Sequence, residues 1–224
     1  MTVTSITTQL RPSQQPRLPA APVEYDRTFM DSTLSILRQY FNQVDNLNQS
    51  LLTNTGGRFL RTVCGSFYDT TSQTATANTA TLMTLNSTDT PNTNGISIVS
   101  GSKITVVYPG TYNLQFSIQA QNANANVQDM SIWLKQGNGS GAATDIAGST
   151  GYISVPASHG GTDGHGIFGW NYFVTMAAGD YIQLYWSTPS TDVSIHYYAA
   201  GTSPTRPTTS SVVATMTFVS APLT

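Results

Sequence analysis

The stretch that decides the fold is Lys103-Ile-Thr-Val-Val-Tyr-Pro-Gly-Thr-Tyr-Asn-Leu-Gln-Phe-Ser-Ile118. Pro109 presets its own φ and Gly110 accepts a positive φ, so this pair predicts a type II turn between two strands. After the turn, apolar residues stand at every second position and therefore lie on one face of a strand. The members of that predicted face are Tyr112, Leu114, Phe116 and Ile118.

The period of two continues through the rest of the chain. In Phe173-Val-Thr-Met-Ala-Ala-Gly-Asp-Tyr-Ile-Gln-Leu-Tyr-Trp186, the pair Gly179-Asp180 predicts a turn before another alternating strand. Ten or so short strands without intervening helices indicate a β-sandwich or barrel over residues 58–224. The predicted strands are residues 58–69, 81–86, 96–99, 103–107, 111–120, 129–135, 151–155, 167–175, 181–187, 193–199 and 211–219.

These stretches resemble landmarks of the jelly roll shared by tumour necrosis factor ligands and complement globular heads. The strand after Pro109-Gly110 is similar to that family's aromatic-rich G-x-Y-x-F strand, and Gly179-Asp180 looks like its turn before a long strand. The closing strand at residues 211–219 also agrees in chain order. The resemblance covers roughly residues 62–220. It implies an antiparallel jelly-roll β-sandwich, with some other antiparallel β-sandwich as the alternative.

A different period precedes the β region, within the segment 23–57. Apolar residues recur there at heptad spacing, which predicts one long amphipathic helix over roughly residues 25–53, ended by Gly56-Gly57. Two interpretations stay open: a parallel trimeric coiled coil, or a helix packed on its own head or on another subunit. The predicted seam of a trimer consists of Met30, Leu37, Tyr40, Val44, Leu47 and Leu51.

Residues 1–22 form a third segment, rich in Thr, Gln and Pro. Its prolines exclude helix and central strand, so we expect an extended arm, either laid along a partner or free as a tail. The arm contains two Arg and no Asp or Glu, which suits docking onto an acidic partner surface. The predicted anchoring residues are Arg11, Arg17, Pro19, Pro22 and Tyr25.

The sequence around the start of the helix resembles the N-termini of structural proteins from tailed phages, particularly phages of cyanobacteria. The residues that carry the resemblance are Arg17-Leu-Pro-Ala-Ala-Pro-Val-Glu-Tyr-Asp-Arg-Thr-Phe-Met-Asp31 and Leu37-Arg-Gln-Tyr-Phe-Asn-Gln-Val-Asp-Asn-Leu47. In those proteins a Pro-rich lead and a helix precede varied β heads. The resemblance implies a shared device that anchors the chain on a virion, with synthesis in the host cytoplasm.

Composition excludes several classes of partner. Charged residues make up 9% of the chain, against roughly 25% in typical globular domains. The net charge of −2 is too small to indicate binding to nucleic acid or anionic lipid. Cys64 is the only cysteine, so no disulfide can form within the chain. With neither a secretory leader pattern nor a membrane-spanning apolar run, we expect a soluble protein made inside the cell.

The jelly-roll resemblance also implies a homotrimer, because members of that family assemble about a threefold axis through aromatic-rich strand faces. Aromatic residues with a polar tip are favoured at protein interfaces, and this β region has many of them. Burial in the core of a single chain is the alternative for each ring. The predicted head-interface residues are Tyr112, Phe116, Tyr181, Tyr185 and Tyr197.

Signatures of catalysis are missing from the sequence, so we expect a protein that is not an enzyme and needs no cofactor. One loop, residues 159–165, holds His159, Asp163 and His165 among glycines. Triplicated at a trimer axis, these side chains would offer metal ligands. We favour a Gly-rich surface loop with solvated histidines and therefore predict no metal.

Three functions follow from these patterns. The first is a virion structural protein, a homotrimeric fibre, knob or capsid decoration anchored by its arm. The second is the receptor-binding tip of a tail fibre that contacts host surface polysaccharide through polar loops. The third, a secreted ligand of the tumour necrosis factor type, is disfavoured by the absence of a leader and of paired cysteines. The loops in question are residues 71–80, 86–95, 121–128, 136–150 and 188–192.

Overall fold

The structure is a computed structural model that describes residues 16–20, 22–52, 62–139 and 141–221, without the side chains of residues 49–52. The chain divides into two units, residues 1–61 and residues 62–224, which we describe separately. Most of the predicted arm, including Arg11, lies outside the described residues, as does the side chain of Leu51.

The first unit contains one helix, α1, which runs from Arg27 to Leu52. Asp26 caps its start, because a carboxylate oxygen of Asp26 accepts the Thr28 N–H at 2.8 Å and so satisfies one free backbone donor. Arg27 and Asp31 form an exposed ion pair one turn apart, at 3.8 Å. The predicted helix is confirmed; it starts two residues later than expected, and it continues to Leu52, the last residue described in this unit.

The second unit, the head, is built almost wholly of strands. The only helical turn among its described residues is a short 3-10 segment at Thr90–Asn92. The strands are β1 (Cys64–Asp69), β2 (Gln73–Thr74), β3 (Thr81–Leu82), β4 (Ser87–Thr88), β5 (Ile96–Val99), β6 (Lys103–Val106), β7 (Gly110–Asn122), β8 (Gln128–Asn138), β9 (Thr144–Asp145), β10 (Gly151–Val155), β11 (Gly164–Met176), β12 (Asp180–Ser187), β13 (Val193–Ile195), β14 (Gly201–Thr202), β15 (Thr205–Arg206) and β16 (Val212–Ser220).

The strands pair into two main sheets and one small hairpin. The first sheet has the order β2-β13-β7-β16-β1-β4, and β11 pairs with the other side of β7. The second sheet has the order β10-β8-β12-β6-β5, with β3 on β12 and β9 on β8. Strands β14 and β15 form a separate hairpin. Every pair of named strands is antiparallel.

The pairing of the eight principal strands is nested. Strand β8 pairs with β10, β7 with β11, β6 with β12, and β1 with β16, so each pair encloses the previous one along the chain. Successive pairs alternate between the two sheets, since β8–β10 and β6–β12 lie in the second sheet and β7–β11 and β1–β16 lie in the first. A long hairpin rolled in this way is a jelly roll. The predicted fold class, an antiparallel jelly-roll β-sandwich after one long helix, is confirmed.

The core lies between the two sheets and takes one face from each strand. In β7 the alternation is nearly unbroken, with Tyr112, Leu114 and Ile118 fully buried. From the second sheet, the fully buried indole of Trp186 on β12 packs into the same core. The largest fully buried side chains are Trp186, Tyr112, Phe67, Met83, Ile104, Leu114, Ile118, Met130, Ile132, Leu134, Met176 and Ile182.

The two predicted turns have different outcomes. Before β12, Asp180 N–H donates to the Ala177 carbonyl at 3.1 Å and Gly179 adopts φ +83°, as a type II turn requires. The type II turn predicted at Pro109-Gly110 is wrong, because Gly110 has no positive φ and is the first residue of β7. A Cβ on Gly110 would lie 2.4 Å from the Phe218 ring, so close packing is what requires glycine there.

Candidate functional site

The apolar stripe of α1 is the first candidate interaction surface. None of the helix side chains that the structure describes is buried. Leu37, Tyr40, Val44 and Leu47 are half-buried, and Met30 is 42% exposed. An amphipathic helix obtains most of its stability from covering such a stripe.

The anchoring residues that the structure describes lie on the surface of the first unit. Arg17, Pro19, Pro22 and Tyr25 are all exposed, and the Tyr25 ring is 83% accessible. Residues 16–20 have no regular secondary structure, in agreement with their Pro-rich sequence. Within the described part of the chain, no helix is long and apolar enough to span a membrane.

The outer face of the first sheet is the second candidate surface. Its side chains come from alternate positions of β1, β16, β7 and β11, and none of them is Lys, Arg, Asp or Glu. Apolar groups are exposed among the polar ones: Phe173 is 56% and Val213 is 37% accessible. Depletion of charge is typical of the centre of a protein interface. By contrast, Lys103, Lys135 and Asp129 all belong to strands of the second sheet.

Three of the five predicted head-interface residues are core residues. Tyr112, Phe116 and Tyr181 are 0%, 5% and 2% exposed within one chain, so their prediction as interface residues is wrong. The Tyr112 hydroxyl donates to the Tyr108 carbonyl at 2.6 Å, which allows the whole ring to be buried. Burial raises the pKa of that hydroxyl, with the neighbouring Tyr108 as a second cause.

The other two predicted interface residues are half-buried. Tyr185 stacks on Trp133 with ring centroids 5.9 Å apart, and the Lys135 ammonium lies 4.6 Å from its centroid. The Tyr197 N–H donates to the Ser72 hydroxyl at 3.0 Å. Because Tyr185 lies on β12, it belongs to the second sheet and not to the uncharged outer face of the first sheet.

The residues considered as metal ligands separate in the structure. His159 lies in a tight turn, where its backbone pairs with Thr162, whereas His165 is part of β11 and not of a flexible loop. The Asp163 carboxylate accepts a hydrogen bond from the Gln121 amide. Within the described ranges, no group of three or more His, Cys, Asp or Glu side chains is arranged to hold a metal ion.

His165 instead lines a groove that the sequence did not predict. Strands β13 and β16 pair with β7, and between them the chain leaves the sheet as the 197–210 loop. Gln119 of β7 holds both ends of this loop by backbone hydrogen bonds. Its carbonyl accepts the His196 N–H at 2.7 Å, and its N–H donates to the Ser211 carbonyl at 2.9 Å. Further into the loop, the backbones of Tyr198 and Thr209 pair with each other through two hydrogen bonds.

The groove lies between the 197–210 loop and the first residues of β11. Its volume is about 510 Å³, within the range of small-molecule sites. One wall is the Tyr198 ring, and the β14–β15 hairpin contributes Arg206. The lining residues are Gln119, Ala120, His165, Gly166, Ile167, Tyr198, Arg206 and Thr209. We call this site the β11 groove.

A hydrogen-bond chain fixes the aromatic wall of the β11 groove. The Tyr198 hydroxyl lies 2.9 Å from His165 Nδ1 and donates to Gln121 Oε1 at 3.4 Å. The His196 ring packs against Tyr198 with centroids 4.7 Å apart. Burial, followed by the charge of Asp163, raises the pKa of the Tyr198 hydroxyl, which keeps it protonated as a donor.

Sequence reasoning selected His165 for another role and missed Tyr198 and Arg206. The sequence offered one signal for Arg206: it is the only arginine after residue 61, and it stands between Pro204 and Pro207. Tyr198 carried no signal to distinguish it from Tyr197. Their proximity to His165 depends on the 197–210 loop folding back onto β11, which no local pattern specifies.

No protein-family model and no curated protein sequence matches this chain. Solved structures similar to it include Eiger TNF from S. frugiperda, with a TM-score of 0.47 and 9% identity over 73% of this chain and 97% of that chain. Another is the globular domain of zebrafish complement 1qA protein, with a TM-score of 0.41 and 10% identity over 71% of this chain and 99% of that chain. The jelly-roll assignment rests on the strand pairing of the chain itself.

Proposed function

We propose that this chain is a non-enzymatic structural protein of a bacteriophage particle, a homotrimer anchored by its N-terminal arm and displaying a jelly-roll head. The observation that carries the proposal is the apolar stripe of α1, along which no described side chain is buried in a single chain. Three copies of the helix would cover Leu37, Tyr40 and Val44 against one another. The uncharged outer face of the first sheet supports association of the heads as well.

The virion location rests on the N-terminal segment. Residues 17–31 and 37–47 resemble the anchoring segments of tailed-phage structural proteins. Arg17, Pro19 and Tyr25 are exposed, which leaves them accessible to an acidic docking surface on the capsid or tail. In this proposal the protein is made in the host cytoplasm and ends in the virion.

Deletion of residues 1–22 tests the proposal. In sedimentation equilibrium the full-length protein should be a trimer of about three times its 24.0 kDa chain mass, and the truncated protein should remain a folded trimer of correspondingly lower mass. It should fail to join particles assembled in infected cells, as judged by immunogold labelling of purified virions. The full-length chain, expressed at the same level, is the control. Normal incorporation of the truncated chain, or a monomeric full-length chain, would contradict the proposal.

A second candidate function is a receptor-binding head that contacts host surface saccharide. The β11 groove favours it, since the groove combines an aromatic ring with polar side chains in a cavity of about 510 Å³. The groove is formed by β7, β11 and the 197–210 loop, and not by the polar loops that the sequence suggested. Binding of the purified trimer to host cells, and loss of that binding when the groove is altered, would distinguish this function from passive decoration.

A further inference from the structure

We propose that the β11 groove binds a carboxylate-bearing sugar, with Arg206 as the anion-binding residue and Tyr198 as the stacking surface. This inference deepens the second candidate function and rests on it, because it names the class of saccharide and the residues that recognise it. It does not depend on the arm or on attachment to a virion.

Arg206 supplies a positive charge that forms no ion pair within the described residues. The head contains three cationic side chains, Lys103, Lys135 and Arg206. Lys135 pairs with Asp145 at 3.3 Å, and the Lys103 ammonium lies 4.2 Å from the Tyr181 ring centroid. Arg206 makes one long hydrogen bond, at 3.5 Å to the Ala199 carbonyl, and has no carboxylate partner among the described residues.

An unpaired guanidinium at the edge of a groove favours an anion with planar geometry. Arginine presents several N–H groups in a rigid fork that matches both oxygens of a carboxylate. Asp163 does not neutralise this charge by an ion pair, and its carboxylate already accepts from the Gln121 amide.

The aromatic wall suits a sugar ring better than a linear anion. Tyr198 is held in place by His165 Nδ1, by Gln121 and by the ring of His196, so its face is preorganised. A fixed aromatic face packs against the apolar C–H groups of a pyranose at little entropic cost. The side chain of Ile167, which lines the groove and is 70% exposed, adds an apolar contact surface.

Polar groups along the groove match the hydroxyls of a saccharide. The Gln119 side-chain amide and the Thr209 hydroxyl both line the cavity and have no hydrogen-bond partner among the described residues. An amide and a hydroxyl each offer donor and acceptor capacity, as vicinal sugar hydroxyls require. The remaining ring nitrogen of His165, Nε2, likewise has no described partner.

The groove can operate beside the proposed association face. Ile167 and Phe173 lie on the same outer face of β11, six residues apart in the strand. At roughly 3.3 Å per residue, about 20 Å separates them. The ligand end of the face is thus distinct from the Phe173 end, which we propose to associate.

Calorimetric titration of the full-length chain tests the inference with four probes. Two carry a sugar carboxylate: a hexuronic acid disaccharide and a sialyl disaccharide. The third is the same hexuronic acid disaccharide with its carboxylate reduced to an alcohol, and the fourth is inorganic phosphate. We expect at least one acidic disaccharide to bind. The reduced sugar should bind about tenfold more weakly or worse, since hydrogen bonds to a charged group contribute that much. Phosphate should also bind about tenfold more weakly or worse, because it offers no ring to pack against Tyr198.

Variants of the groove locate the binding. Arg206→Gln removes the charge and should weaken the acidic disaccharide by about tenfold or more. Tyr198→Phe keeps the ring and should retain most of the binding, whereas Tyr198→Ala should abolish it. Lys103→Gln removes one head charge outside the groove and is the matched control, which should bind as the unaltered chain does. Circular dichroism and sedimentation of each variant verify that it folds and assembles.

Each contrary outcome has one meaning. The inference is overturned if neither acidic disaccharide binds, if the reduced sugar binds equally well, or if Arg206→Gln and Lys103→Gln behave alike. Phosphate binding that matches the acidic sugars and depends on Arg206 would also overturn it, in favour of a phosphate site. Arg206→Gln should still form trimers and enter particles; if it does while no sugar binds, only the groove inference fails, and the virion proposal stands.

Discussion

Asp69 is a fully buried carboxylate that no cation accompanies in the described part of the head. One of its oxygens accepts the Thr71 N–H at 2.7 Å and the Thr71 hydroxyl at 2.5 Å, and the other accepts the Thr84 hydroxyl at 3.0 Å. The Asn86 amide donates to it as well, at 3.4 Å. Four donors therefore compensate for the loss of hydration, and they join β1 to the segment that precedes β4.

Replacement of this carboxylate should be costly. Asp69→Asn turns one acceptor into a donor that faces other donors, and we expect a loss of about 1–3 kcal/mol in the free energy of unfolding. Urea unfolding at one fixed chain concentration, followed by tryptophan fluorescence, measures it. Asp192→Asn is the control: this exposed side chain can still accept from Asn124, so the change should stay within about 0.5 kcal/mol. Equal effects of both substitutions would contradict the role of Asp69.

Asp129 gives a prediction about acid stability. Its hydrogen bonds from the Ser154 hydroxyl at 2.7 Å and the Tyr152 hydroxyl at 2.9 Å lower the pKa of Asp129 below its ordinary 3.8. Because the folded pKa is depressed, this stabilisation is present above the unfolded pKa and is lost as the pH falls through the folded value. Carboxyl NMR titration should show the pKa rise toward 3.8 in Ser154→Ala, and less in Tyr152→Phe. An unshifted pKa in Ser154→Ala would rule out this cause.

At the level of residues, the sequence predicted which side chains share a face but not which face is buried. Tyr112, Leu114 and Phe116 do lie on one side of β7, as their spacing of two requires. An alternating pattern does not show which of the two strand faces is buried, however, and the phenolic hydroxyl of Tyr112 suggested a position at the solvent or at an interface. The Tyr108 carbonyl allows the hydroxyl to be buried by accepting its hydrogen bond, and the bend at residues 107–108 that precedes β7 differs from the type II turn that the sequence predicted.

Helix α1 should depend on a partner for its stability. An isolated helix of 26 residues is marginal in water unless its apolar stripe is covered. The double substitution Leu37→Glu with Val44→Glu places two charges on the stripe, so we expect self-association at least about tenfold weaker and lower ellipticity at 222 nm. Gln39→Glu with Asn46→Glu adds the same charges at the same spacing on the exposed face and should change neither. If both doubles behaved alike in sedimentation, the stripe would not be an association seam.

Strands of four or more residues were predicted better than the two-residue strands. The strands predicted at 96–99 and 151–155 are β5 and β10 as observed, and the helix starts within two residues of its predicted start. The β14–β15 hairpin was missed, because Gly201-Thr-Ser-Pro-Thr-Arg206 has the composition of a loop and only two residues per strand. That hairpin positions Arg206, so the most chemically distinctive residue of the β11 groove lay in the least predictable element.

At the scale of the whole molecule, the uncharged face of the first sheet should hold the heads together. Phe173→Lys with Val213→Lys introduces two charges that would be buried without partners on association, so the trimer should dissociate at concentrations about tenfold higher or more. Val99→Lys with Val127→Lys is the matched control, since both residues are exposed apolar positions of the head outside that face. Sedimentation equilibrium distinguishes the two doubles. Dissociation of the control alone would place the interface elsewhere.

The overall topology could be predicted only by resemblance to a family. Periodicity and turn residues indicated a sandwich of antiparallel strands, but they cannot specify that β7 lies between β16 and β11. Such pairings are determined by how all the apolar faces are buried together. The jelly-roll landmarks in residues 103–118 and 173–186 indicated the fold class, and the structure confirms that class.

The nested pairing also constrains when the head can fold during synthesis. Gly65 in β1 pairs with Met216 in β16, about 150 residues later, so the first sheet lacks one of its central strands until β16 has been made. Contacts so distant along the chain slow folding, because a long loop must close before they form. On the ribosome, α1 emerges well before the head is complete. Nascent chains translated from one messenger RNA could therefore associate through their helices first. In the proposed trimer this would bring three incompletely folded heads together before any of them finishes folding.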